Sequence, residues 1–498
     1  MATATMTPTV NDKREIFGWT MYDWANSAFS TTVITVFMGP YLTSLAKTAA
    51  DANGYLNLLG FSIQYNSLFT YCVSISVLLQ VFILPVLGAI ADYSHLRKRM
   101  LMLFALIGSA ATILLFFLVK ETYLLGGLLF ILANLSFGAS IVFYNAYLPD
   151  IASEDRRDSV SSAGFALGYA GGGLLLLLNL VLFTLMDDGA LAARICIASA
   201  GLWWLGFSQI TFGTLRPRHA TRQLPAGESY LTIGFKQLGN TFREINKFPE
   251  TVRYLVAYLF FNDGIQTVIV ISAIFAAEEL GMSSTSRILV ILMIQAVAFF
   301  GAYFYGWLAG KMGALRALIS SLIIWSAVVV YAFAGMKSTA IVNGLKIEQR
   351  ELEFWLLAFV VAIILGGSQA LSRSLFSQMI PKGREAEFFS FYEVSERGTS
   401  WIGPFIFARV NDIFRSLRLG ILSLIVLFIV GLAILLTVVV LGLMTKVAQE
   451  INVFNIAFQI KILIGFFLLI ISLPLIIPII ERYIRTFEKG ITSLMATM

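Results

Sequence analysis

Twelve stretches of this chain are mostly apolar over about twenty residues or more. A helix rising about 1.5 Å per residue needs roughly that length to cross about 30 Å of hydrocarbon. The pattern predicts membrane-spanning helices over 17–45, 68–91, 100–119, 123–148, 160–185 and 191–214. A second series follows over 253–276, 288–310, 315–335, 354–380, 388–411 and 419–444. One more apolar run, 462–480, is read as a thirteenth crossing. A re-entrant or surface-lying segment is the alternative there, because the run contains Pro474 and Pro478 and precedes Arg482, Arg485 and Lys489.

The longest polar stretch, 215–252, divides the spans six and six. The expected organisation is an N-terminal segment 1–16, a first six-helix bundle 17–214, a linker 215–252, a second bundle 253–445 and an extension 446–498. Within the linker Leu231, Leu238, Phe242 and Ile245 share one helical face, with Lys236, Arg243 and Lys247 between them. That spacing predicts an amphipathic helix on the inner membrane surface, with a flexible linker as the alternative.

Composition agrees with the pattern. The chain is 58% hydrophobic and 13% charged, against about 25% charged in ordinary soluble domains. Its mean hydropathy is +0.82. A soluble enzyme is excluded. The net charge of +6 sits in short loops between apolar runs, which speaks for orientation in a bilayer and against nucleic acid. With the N-terminus inside, the inner loops hold about eighteen Lys and Arg and the outer loops about eight. Cys72 and Cys196 lie inside apolar runs, and His95 and His219 have no ligand-spaced partner, so neither a disulfide framework nor a metal site is expected. Gly171-Gly172-Gly173 lacks the Lys-Ser/Thr of a phosphate loop, so no nucleotide or other cofactor is expected.

The candidate chemistry is polar residues inside the spans, which are expensive in hydrocarbon and usually face a cavity or a partner. Asp23, Asn26, Ser27 and Ser30 fall at i, i+3, i+4 and i+7 on span 1. Asn262, Asp263, Gln266 and Thr267 make a matching stripe on span 7. Span 4 adds Asn134 and Asn145, and span 10 adds Gln369, Arg373 and Ser377. Asp23 and Asp263 are candidates for a substrate ammonium or a coupling proton, and Arg373 for a substrate carboxylate, which its planar fork suits. A structural pair such as Asp263 with Arg373 is the alternative. Trp24, Tyr144 and Tyr392 are candidate cavity aromatics. Gly164, Gly168 and Gly172 on span 5, and Ala302, Gly306 and Gly310 on span 8, have the spacing that lets helix backbones approach, and are expected at the seam between halves.

Gly88-Ala-Ile-Ala-Asp92-Tyr-Ser-His-Leu-Arg97-Lys98-Arg99, after span 2, resembles the signature loop of the major facilitator superfamily. The resemblance implies two parallel six-span bundles, an all-α polytopic fold in which spans 1, 4, 7 and 10 line a central cavity. It also implies a gate on the inner face built on Gly88, Asp92, Arg97 and Lys98. Glu393 is added to that gate, with a place near the N-terminus of span 11. The second-half copy has Gly310 where the aspartate would stand.

Four further stretches resemble the vacuolar amino-acid effluxers linked to autophagy, and their bacterial branch. They are Tyr22-Asp23-Trp24-Ala25-Asn26-Ser27, Phe143-Tyr144-Asn145-Ala146-Tyr147-Leu148-Pro149-Asp150, Phe261-Asn262-Asp263-Gly264, and Gly366-Gly367-Ser368-Gln369-Ala370-Leu371-Ser372-Arg373. The resemblance implies a monomeric secondary transporter working by alternating access. A small solute, an amino acid by preference, is its cargo, with protons as the coupling ion and the lipid bilayer as its medium. A prokaryotic inner membrane comes first and a vacuole-type membrane second. A transporter-like scaffold or sensor is the alternative function. A lipid-modifying membrane enzyme is disfavoured, because the loops lack paired carboxylates or a His/Asp cluster.

Overall fold

A computed structural model describes residues 10–58, 61–93, 96–119, 122–218, 228–229, 232–233, 235–237, 239–240, 247–335, 349–397 and 401–447. Leu231, Leu238, Phe242 and Ile245 of the amphipathic face, His95, His219 and the run 462–480 lie outside the described residues. Eleven helical runs among the described residues are long and apolar enough to cross a membrane.

Local signals set the helix ends. Asp12 accepts from the Arg14 backbone N–H and opens the helix Lys13–Ala28. Asp188 caps Gly189–Thr214 through the amides of Ala190 and Leu191, and Ser283 caps Ser284–Met312. Gly313, at φ +88°, closes that helix and opens Ala314–Ala334, a conformation that costs glycine nothing.

Span 1 is interrupted. After Ala28 the chain widens into a π-helix, Phe29–Phe37, and resumes as Met38–Ala49. The Thr35 hydroxyl donates to the carbonyl of Ser30, five residues back, at 2.8 Å, as the wider turn allows. Beyond it, Tyr55–Leu58 and Phe61–Gln64 pair as an antiparallel hairpin that hydropathy did not predict. Among the described residues span 11 is seen as two stretches of helix, Glu385–Arg397 and Ile402–Phe414.

Large apolar side chains such as Phe82 (67% exposed) and Phe300 (68% exposed) point outward, while Asp23, Asp92, Arg97, Arg373 and Glu393 are buried. Lipid tails as solvent make this distribution stable, since they cover apolar faces and cannot hydrate charges. Spans 1, 5 and 6 pack together, as do spans 2, 3 and 4, and spans 7, 9 and 12. Across the seam, span 5 meets spans 8 and 10, and the first piece of span 11 meets spans 2 and 4.

The glycine stripes divide differently from the expectation. A Cβ on Gly168 would meet Ser27 and one on Gly172 would meet Thr31, so that stripe seats span 5 on span 1 within one half. Gly306 does lie at the seam, against Ser162 of span 5. Gly310 faces open space.

Candidate functional site

A cavity of about 330 Å³ lies between the halves, lined from spans 1, 4, 5, 7, 8, 10 and 11. Span 1 contributes its whole predicted face, Asp23, Asn26, Ser27 and Ser30, followed by Thr31 and Thr35 on the π-helical turn. Asn145, Gln266, Gln369 and Arg373 also line it. Asn134 instead donates to Ser76 Oγ at 2.7 Å within the first half. Ser377 lies away from the cavity, its carbonyl accepting from Arg157 Nη1 at 3.0 Å.

Arg373 is the centre of the site. It belongs to span 10 of the second half, yet its polar partners come from the first. Nη1 reaches Asp23 Oδ2 at 3.0 Å and Asn145 Oδ1 at 3.4 Å, while Nε and Nη2 donate to Ser161 Oγ and its carbonyl at 2.9 and 2.8 Å. Its guanidinium lies 4.2 Å from the Phe165 ring centre and 4.8 Å from that of Trp19. The Tyr144 hydroxyl donates to the same Asp23 oxygen at 2.8 Å, and Trp19 Nε1 holds the Tyr144 carbonyl at 2.9 Å. A buried ion pair is worth keeping when hydrogen bonds complete both partners, and here they do. Gly164 provides the room. A Cβ there would stand 2.5 Å from Asp23 Oδ2 and 2.8 Å from Arg373 Nη2.

The alternative pairing of Arg373 with Asp263 does not occur. Asp263 Oδ2 accepts the Gly403 backbone N–H at 2.7 Å, and Asn262 donates to the Glu396 carbonyl at 3.4 Å. Both side chains are turned from the cavity towards span 11, so only Gln266 of that stripe lines it. The stripe had the right residues but a neighbour claimed two of them.

Glu393 stands in the cavity, away from the signature-loop gate. The helix containing it begins at Glu385, so Glu393 lies in its later turns rather than at its N-terminus. Its Oε1 accepts from Asn145 Nδ2 of the first half at 3.1 Å, and its Oε2 accepts from Arg397 Nε at 3.4 Å. Glu396 and Arg397, which the sequence reading did not select as cavity groups, line the same space. Their signal was present in the i, i+3 spacing of two carboxylates inside an apolar span. Tyr169 was also missed; its hydroxyl donates to Gln369 Oε1 at 2.5 Å. Of the aromatics, Tyr392 lines the cavity, and Trp24 stacks on Trp203 with ring centres 5.6 Å apart.

The signature loop closes one end of the seam. Asp92 accepts from the backbone amides of Ala386 and Glu387, at the start of span 11, at 3.1 and 2.9 Å. It also pairs with Arg97 at 3.0 Å. Arg97 extends to Asp150 at 2.8 Å and to Glu385 of the other half at 3.3 Å. Lys98 donates to the carbonyl of Leu215 at 2.6 Å, tying the first half to the start of the linker. A Cβ on Gly88 would be 2.5 Å from the Ala386 carbonyl. Gly88→Leu is therefore expected to wedge this end open and slow uptake at least about tenfold. With Cys72 and Cys196 replaced by alanine, it should also raise thiol labelling of Ser377→Cys from that side. Unchanged labelling and uptake would show that the contact gates nothing.

Residues 11–441 match the model of the family described as vacuole effluxer Atg22 like. The chain belongs to that family. It is 32% identical over 425 residues to an uncharacterised MFS-type transporter, YxiO, of Bacillus subtilis, covering 84% of this chain and 93% of the relative. Against autophagy-related protein 22-1 of Penicillium rubens it is 26% identical, over 86% and 90% of the two chains. Among solved structures, the proton:xylose symporter XylE superposes with a TM-score of 0.65 at 12% identity, covering 84% of this chain and 94% of that one. A bacterial homologue of the iron transporter ferroportin, outward-facing, superposes with a TM-score of 0.61 at 14% identity, over 86% and 99%. The fold is that of the major facilitator superfamily, and the protein is a multi-pass membrane transporter whose family occurs in both bacterial and vacuole-bearing organisms.

Proposed function

We propose that the protein moves a small zwitterion of the amino-acid class by alternating access, coupled to protons, and that in a vacuole-type membrane, where protons run out of the lumen, it works as an effluxer. The observation that carries this reading is the Asp23–Arg373 pair, opposite charges 3.0 Å apart from different halves at the cavity wall. A zwitterion replaces that one internal pair with two, its carboxylate on the Arg373 fork and its ammonium on Asp23. Binding then acts directly on a bond between the halves. A neutral sugar offers no such exchange. Asn145, which also touches Arg373, completes the carboxylate end, while Asn26, Ser27, Gln266 and Gln369 offer polar contacts along the solute. The seam at Gly88, Asp92, Arg97 and Lys98 is the gate on the side that charge bias makes inner. One chain encloses the cavity, so the monomer is the working unit. A bacterial inner membrane is the first setting and a vacuole-type membrane the second.

The test is uptake and release of an amino-acid panel in proteoliposomes, with and without an imposed pH gradient. Flux that follows the gradient is expected. Flux indifferent to it would remove the proton from the scheme, and no flux for any amino acid would reject the substrate class. The latter result would favour a scaffold or sensor.

A further inference from the structure

The described charges at the cavity wall do not balance. Asp23, Glu393 and Glu396 face it with three carboxylates, against the two guanidinium groups of Arg373 and Arg397. A zwitterion adds no net charge, so a filled and closed cavity would keep one negative charge inside the membrane. An uncompensated charge at that depth is costly, and the cost falls on the closed state through which transport must pass. A second ligand of charge +1 removes it. The cavity also has an unmet polar group. Asn26 is only 3% exposed, lines the cavity, and its Nδ2 has no hydrogen-bond partner among the described residues.

We infer that each solute molecule travels with one proton, and that Glu393 is the group that carries it. The inference rests on the zwitterion reading above. Geometry selects Glu393 among the carboxylates. Asp23 is already engaged by a guanidinium at 3.0 Å and a hydroxyl at 2.8 Å. Asp263 does not line the cavity and is held by the Gly403 amide. Glu396 takes the Tyr258 hydroxyl at 2.9 Å within its own half. Glu393 accepts from an amide of the other half, and the cation bonded to it among the described residues stands at the long distance of 3.4 Å.

The groups facing Glu393 are Arg397 and Glu396 on its own helix, Arg373 on span 10 with its partner Asp23, and Asn145 on span 4. Tyr258 on span 7 and Tyr392 on its own helix face both Glu393 and Glu396, and Tyr169 on span 5 faces Glu396. The span 2 carboxylate, Asp92, is engaged at the other end of this helix by the amides of Ala386 and Glu387.

Protonation forms one O–H bond on a Glu393 oxygen, and release breaks the same bond on the opposite side. The neutral carboxyl can donate to Asn145 Oδ1, the atom that now accepts from Arg373. Proton and solute thus act on one cross-bundle link, which is what couples them. Among the described residues no group of three or more His, Cys, Asp or Glu side chains is placed to hold a metal ion.

The decisive measurement is the reversal potential of solute flux in proteoliposomes without a pH gradient. For the wild type, a tenfold solute gradient should be balanced by about 59 mV, one charge per solute. In Glu393→Gln no potential should balance it, while Glu250→Gln, whose carboxylate pairs with Arg253 away from the cavity, should keep the 59 mV. Wild-type solute flux with no reversal potential, a sodium-dependent potential, or wild-type behaviour in Glu393→Gln would each overturn the inference and leave the transporter standing. Absence of any wild-type flux would fail the zwitterion reading itself. Should Glu393→Gln carry no flux, proton uptake on binding is read on purified protein with a pH dye. About one proton per solute is expected for the wild type and about none for the variant. Equal uptake in both, or solute binding by the wild type without proton uptake, would overturn the assignment.

Discussion

Replacing Arg373 with alanine is expected to cost the protein most of its folded yield as well as its transport. The substitution leaves Asp23 buried without its cation, and breaking a buried pair from one side costs about 3–5 kcal/mol. It also leaves Ser161 and Asn145 without the donors they now accept from. Arg373→Lys should fold better and still transport at least about tenfold more slowly. An ammonium is a point charge and cannot hold Asp23 and both oxygens of Ser161 in one plane. The double variant Arg373→Ala with Asp23→Ala should recover stability, because no charge is then stranded, while transport stays absent. Thermal unfolding in detergent and proteoliposome flux separate the two effects. Equal stability of Arg373→Ala and wild type would show that the pair is not load-sharing between the halves.

The partner choice in that pair marks where sequence reasoning reaches its limit. Eleven of the twelve expected spans appear as helical runs long and apolar enough to cross, since about twenty apolar residues in a row have few other uses. Periodicity placed Asp23, Asn26, Ser27 and Ser30 on one face, and all four meet the cavity. The same periodicity put Asn262 and Asp263 on a face without saying which helix that face would meet. Gly403, whose amide takes Asp263, lies 140 residues away, and no spacing rule reaches that far.

Glu393 failed for a different reason. Its helix starts at Glu385, earlier than the apolar run suggests, because Glu385, Arg384 and Glu387 are buried in a charge network at the seam. Charged residues that satisfy each other can enter a span, and a hydropathy window reads them as loop. The π-helical turn at Phe29–Phe37 has no such excuse in composition. Its residues Thr31 and Thr35 line the cavity, and widened turns are frequent where a helix serves a site.

A second large effect is expected from a residue that carries no chemistry. Gly164→Ala adds a single methyl, yet that carbon would stand 2.5 Å from Asp23 Oδ2, 2.8 Å from Arg373 Nη2 and 3.1 Å from Trp19. Asp23 is fixed by Tyr144, and Arg373 by Ser161 and the faces of Trp19 and Phe165, so neither can yield cheaply. The methyl must separate the charges or push span 5 from span 1. Transport should fall about as far as in Asp23→Asn, with every charge still in the chain. Gly206→Ala is the comparison, since a Cβ there meets nothing within 4 Å. In that helix alanine should even help, by up to about 1 kcal/mol. If Gly164→Ala transports as well as Gly206→Ala, the Asp23–Arg373 distance is not what transport depends on. The zwitterion exchange would then lose its physical basis. If transport fails while the fold survives, the contact between spans 1 and 5 becomes the part of the first half that sets the site's geometry.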